Sequence, residues 1–152
     1  MASTVRHVLP KLEIDDAWQV ELAAMLSQLG CVTLDAALLQ AAEEGKMTPE
    51  QHQAFAPHPE VGASLLAKIP RMQGVAAMVG AQLDTEAPGG SHTVLVGGEL
   101  LQLAVRIDRE QRRGVTFSDA LGKVAGERTW DRGLVHALAS YQAELDGKIS
   151  GK

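Results

Sequence analysis

The stretch 47–70, MTPEQHQAFAPHPEVGASLLAKIP, constrains this chain more than any other, because its prolines and capping residues dictate where helices begin and end. Thr48 suits a helix N-cap, Pro49 suits the first turn, and Gln51 completes a capping box with Thr48. Pro57 ends that short helix, since the residue before a proline avoids the helical region. Pro59 and Glu60 open a second helix, whose apolar positions Val61, Leu65 and Ile69 recur at helical spacing until Pro70. His58 is thereby held at a rigid joint between two helices, a place for a ligand or for a structural hydrogen bond.

Composition makes the rest of the chain helical too. It has 152 residues, enough for one domain with a substantial core, and 45% of them are apolar. Two Trp, two Phe and one Tyr leave the core to Ala, Leu and Val, which favours helices over strands. A formal charge of −5 supplies no basic field for nucleic acid or an anionic membrane surface. No run is long enough to span a bilayer, and the start lacks a signal-peptide pattern, so a cytoplasmic protein is expected. Cys31 is the single cysteine, which excludes an intrachain disulfide.

Taken in order, residues 1–16 form an N-terminal segment, amphipathic through Val5, Val8 and Leu9 but interrupted by Pro10. Asp15 or Asp16 can cap a helix over 17–29 with Trp18, Leu22, Met25, Leu26 and Leu29 on its apolar face, and Gly30 stops it. Thr33 or Asp35 starts another, ending at Gly45. After the central pair, 71–83 reads as a helix burying Val75, Met78 and Val79. The stretch 84–98 reads as one long irregular connection, in which 93–96 could be extended. Helices follow over 99–113, from Thr116 through Val124, and over 131–145, with 146–152 a mobile tail. The expectation is an all-α domain of seven or eight short helices over 17–145, with Leu22, Leu26, Leu65, Val75, Leu100, Ala104 and Leu138 in one core.

This order of features resembles the HD-GYP branch of the HD phosphohydrolase superfamily. The resemblance runs from about Trp18 to Tyr141 and is carried by the 47–70 stretch, with a second segment in LLQLAVRIDREQRRGVTFSDAL. It implies an all-helical bacterial signalling domain, whose active members hydrolyse cyclic di-GMP at a cluster of iron or manganese ions held by His and Asp. Residue by residue, most of that chemistry is missing. Ser27 and Gln28 stand where the signature His-Asp pair of LHDIGK would be, and Cys31 replaces its lysine. His58 retains the histidine of the HPE segment. Ala81, Gln82 and Leu83 occupy the neighbourhood of the paired histidines, and 87–90, APGG, replaces the GYP loop. The metal-binding Asp of the later helix falls at Arg106. A register shifted by two would use Asp108 but misplace Gly114. The helix that bears the family's earliest ligand lies N-terminal to the resemblance and is absent or cut short.

The resemblance therefore implies a catalytically degenerate domain with no metal or other cofactor, acting as a regulatory or protein-interaction module of the response-regulator output type. A phosphodiesterase with residual activity and a cyclic-dinucleotide sensor are the alternatives. The implied partner is another signalling protein, with cyclic di-GMP or a second copy of the chain as further candidates. The vestigial pocket is expected to gather Ser27, Gln28, His58 and Arg106. Within it, His58 is read as a helix-boundary residue bonded to backbone rather than a ligand. Arg106 is read as solvent-exposed or paired with Asp108 or Glu110 rather than as an anion binder. His52, His92 and His136 have no ligand spacing.

Overall fold

A computed structural model describes residues 1–150 of the chain. Among these residues the fold is all-α, with nine α-helices and no strand. They are α1 (Ala2–Val8), α2 (Ala17–Leu26), α3 (Ala36–Glu43), α4 (Pro49–Phe55), α5 (His58–Leu66), α6 (Gln73–Gly80), α7 (His92–Arg112), α8 (Phe117–Ala125) and α9 (Arg132–Ser150). Short 3-10 turns cover Leu9–Lys11 and Leu29–Thr33.

The punctuation of 47–70 works as its residues require. The Thr48 hydroxyl accepts from the Gln51 backbone amide and Gln51 Oε1 accepts from the Thr48 backbone amide, closing the capping box of α4. Asp35, Ser91 and Thr116 cap α3, α7 and α8 by accepting from the backbone amide three residues on, without the reciprocal bond. Asp16 does not cap α2. It adopts a left-handed conformation with φ of 49°, and its carboxylate takes a bond from the Trp18 indole instead.

Helix α7 is the axis of the domain. Its 21 residues span roughly 32 Å, and it packs against α1, α2, α6 and α8. It begins at His92, so the second half of the expected 84–98 connection is helical. Propensity alone argues against a helix through Val94, Val96, Gly97 and Gly98, but packing overrides it. A β-carbon on Gly97 would lie 2.4 Å from Val20 and 2.8 Å from the Met78 sulfur, so only glycine lets α2 and α6 approach this closely. Leu100, Leu101 and Leu103, fully buried, continue the helix into the core.

Two helices turn a different face inward from the one expected. On α5 the buried residues are His58, Pro59, Gly62 and Leu66, while Leu65 is 38% exposed and Ile69, beyond the helix end, is exposed as well. On α2 they are Val20, Ala23 and Ala24. Leu22 and Leu26 are half-buried, and Trp18 and Met25 face solvent. Gly62 on α5 and Ala23 and Ala24 on α2 permit close contact with the neighbours, while Leu65, Trp18 and Met25 lie at the rim. The other expected core members, Val75, Leu100, Ala104 and Leu138, are buried together.

The ends also differ from expectation. Val5 and Val8 are wholly buried, and α1 packs on α2, α7 and α9, so the N-terminal segment belongs to the main core. Helix α9 continues through Ser150, which makes 146–150 helical; the remaining two residues of the expected mobile tail, 151–152, lie outside the described residues. Among the described residues no helix is long and apolar enough to cross a membrane.

Candidate functional site

The HPE joint is built by contact between backbones. The 3-10 turn Leu29–Thr33 lies against the start of α5, and a β-carbon on Gly30 would come 1.7 Å from the His58 carbonyl oxygen. No side chain fits between them. His58 is only 2% exposed, and its Nδ1 lies 2.8 Å from the Phe55 carbonyl. A carbonyl can only accept, so Nδ1 carries the proton and Nε2 is left as an acceptor, buried and without a partner. Burial lowers the pKa of the ring; the Phe55 bond opposes that shift and the positive charge of Arg109 adds to it.

Beside the joint, Ser27 is buried and donates to the Ala24 carbonyl at 2.9 Å. Gln28 is exposed, and its side-chain oxygen accepts from the Cys31 thiol at 3.3 Å, a thiol whose pKa burial pushes up. Gln82, wholly buried just past α6, gives its amide to the Ser27 carbonyl at 2.8 Å and to the Val79 carbonyl at 2.9 Å. Both partners are acceptors, which fixes the orientation of the amide. Its oxygen, Oε1, is then left buried without a partner.

A cavity of about 680 Å³ opens over this joint. Gln28, His58 and Gln82 line it, and α7 contributes Val105, Asp108, Arg109 and Arg112, which share one helical face. Asp108 is bound to Arg112 at 2.7 Å. Arg109 has no hydrogen bond or ion pair among the described residues.

Of the four residues expected to gather here, Gln28 and His58 line the cavity, and Ser27 lies behind its wall through the Gln82 bond. Arg106 does not belong to it. One turn-face away on α7, it donates to the Asp84 carbonyl at 2.8 Å and the Gln102 carbonyl at 3.2 Å, faces Glu127 at 3.6 Å, and lies 5.5 Å from the Trp130 ring. Its carboxylate partner is thus Glu127 rather than Asp108 or Glu110: Asp108, two positions on, lies on another face and binds Arg112, and Glu110, one turn on, is taken by Arg113 and Lys123. Asp108, the shifted register, is the position that faces the cavity. Arg109 was legible by the same periodicity, as Val105, Asp108, Arg109 and Arg112 recur at three- and four-residue steps.

The metal cluster implied by the HD resemblance does not fit this donor set. His58 offers one lone pair, Asp108 is engaged by Arg112 and the Met1 ammonium, and the thiol of Cys31, His52 and Glu43, which also line the cavity, do not converge with them. Among the described residues no three His, Cys, Asp or Glu side chains converge in a way that could hold a metal ion.

Comparison with known proteins agrees with the architecture. Neither a curated protein nor a solved structure matches the chain. The family model described as HD domain matches residues 1–100, from α1 into the first half of α7, and so takes in the N-terminal helix as well as the HPE joint. With two-thirds of its length matched in this way, the chain belongs to the HD domain family.

Proposed function

We propose that this HD domain is a non-catalytic regulatory or interaction module, descended from a metal-dependent cyclic di-GMP phosphodiesterase of the HD-GYP type and used in bacterial second-messenger signalling in the cytoplasm. The observation that carries this reading is the set of groups around His58. Where a hydrolase needs several convergent anionic or imidazole ligands, no three such side chains of the described residues converge here, and Gln28, Gln82 and the cation of Arg109 stand beside His58 in the cavity lining. Of the two carboxylates that line it, Asp108 is held by Arg112, and Glu43 belongs to no cluster of metal-ligating side chains among the described residues. Packing around Leu66, Val75, Leu100 and Leu138 holds the domain together independently of any ion.

The test is hydrolysis of cyclic di-GMP by purified protein supplied with Fe(II) or Mn(II). The expected result is no turnover above the protein-free control. Metal-dependent turnover that disappears in His58→Ala would instead support the alternative, a phosphodiesterase with residual activity. A second reading, a sensor that binds a nucleotide without cleaving it, is favoured by the size of the cavity and by the unpaired Arg109.

A further inference from the structure

Resting on the non-catalytic reading, the polarity of the cavity specifies what it binds. We propose that it is a binding site for an organic anion that presents an N–H or O–H donor to His58 and Gln82 and its carboxylate or phosphate to Arg109.

The inner wall carries the first half of this proposal. His58 is 2% exposed and Gln82 fully buried, yet each has a polar atom without a partner, Nε2 and Oε1. Leaving a buried polar atom unsatisfied is costly, and both residues line the cavity, so a ligand donor that displaces the cover over these atoms satisfies them. Both are acceptors. Nδ1 of the ring holds its proton on the Phe55 carbonyl, and the amide nitrogen of Gln82 is committed to two carbonyls. Burial, by lowering the His58 pKa, favours the neutral ring in which Nε2 keeps its lone pair. A bare anion meets repulsion from these two atoms, whereas an amine, amide or heterocyclic N–H completes them. A hydrolytic metal centre at His58 would draw the phosphate to this wall, so the inferred polarity is the reverse.

The second half is carried by α7. Three arginines line the cavity against two carboxylates, those of Glu43 and Asp108. Arg112 and Arg113 are occupied by Asp108 and Glu110, which leaves Arg109 as the guanidinium free to receive an anion among the described residues. Leu39, Met47, Phe55 and Leu83 add apolar lining to the cavity. The volume of about 680 Å³ suits a ligand with a ring-sized body.

The full chain, with histidine ring nitrogens labelled for NMR, is titrated with a matched set of probes. Indole-3-acetate carries the N–H, an apolar body and a carboxylate. 1-Naphthaleneacetate lacks the N–H, 3-methylindole lacks the anion, adenosine 5′-monophosphate replaces carboxylate by phosphate, and inorganic phosphate has only the charge. At least one of the two complete probes is expected to bind and shift the His58 Nε2 signal, and which one binds identifies the acid. The incomplete probes should bind about tenfold or more weakly, the size of one lost hydrogen bond or charge contact. Arg109→Ala, at an exposed site, should weaken the anionic probes and leave 3-methylindole unchanged. An unmoved His58 signal with both complete probes at millimolar concentration overturns the proposal. So does equal binding of 1-naphthaleneacetate, or of phosphate alone at His58. These outcomes concern metal-free binding, so they are distinguishable from the hydrolysis assay: turnover overturns the non-catalytic reading, and loss of binding overturns only the ligand.

Discussion

Gln82 donates its side-chain amide to the main-chain carbonyl of Ser27 at 2.8 Å, across 55 positions of sequence. The bond ties the end of α6 to the end of α2 under the floor of the cavity, and a second one from the same nitrogen reaches Val79. In the HD-GYP resemblance, Ser27 and the neighbourhood of Gln82 are both places where metal ligands would stand. Here a neutral amide bridges them. Gln82→Met keeps the volume and removes both donations, leaving the Ser27 carbonyl without this partner. We expect a loss of about 1–3 kcal/mol in unfolding free energy. An unchanged denaturation midpoint would mean the bridge contributes nothing.

The inward face of α5 makes a sharper prediction. Leu66 is 1% exposed and Leu65 is 38% exposed, one position apart. Leu66→Ala should cost about 2–5 kcal/mol and Leu65→Ala less than about 1 kcal/mol in chemical denaturation. The reverse order would restore the face suggested by the spacing of Val61, Leu65 and Ile69.

That pair also shows what the sequence could and could not reveal. The helix boundaries of α3, α4 and α8 were legible because local chemistry sets them: Asp35, Thr48 and Thr116 each accept from a backbone amide three residues on. Which face of α2 or α5 turns inward depends on how closely a neighbour can approach. Gly62, against Gly30 and Val79, and Ala23 and Ala24 on α2 decide it, and their partners are distant in sequence. The start of α7 was hidden for the same reason, since Gly97 looks like a breaker until Val20 and Met78 are seen against it. Of the candidate site, His58 was legible through its prolines. Arg106 was misplaced because an alignment register says nothing of the helical face, whereas periodicity places Asp108 and Arg109 on the cavity.

The buried, neutral His58 makes stability depend on pH. Its folded pKa lies below the ordinary value of 6.5, so the unfolded chain binds the proton first as pH falls. The contribution is fully present above about pH 6.5 and declines below it, until the folded form is protonated too. The stability of wild type relative to His58→Gln should therefore fall between about pH 6.5 and the lower folded value. A difference that stays flat from pH 8 to pH 4 would mean that His58 is not held neutral.

Arg106 holds the 84–91 connection to the domain through the Asp84 carbonyl. Arg106→Ala should cost about 1–3 kcal/mol and raise amide exchange across that connection. Probe binding in the cavity should be unaffected. Loss of cavity binding with normal stability would return Arg106 to the site.

The central claim is that the groups around His58 cannot assemble a metal cluster. Its most direct test is elemental analysis of protein purified without oxygen from cells supplemented with iron and manganese, for wild type and His58→Ala. Well under one metal ion per chain is expected in both. Close to two tightly bound iron or manganese ions per wild-type chain, lost in His58→Ala, would contradict it.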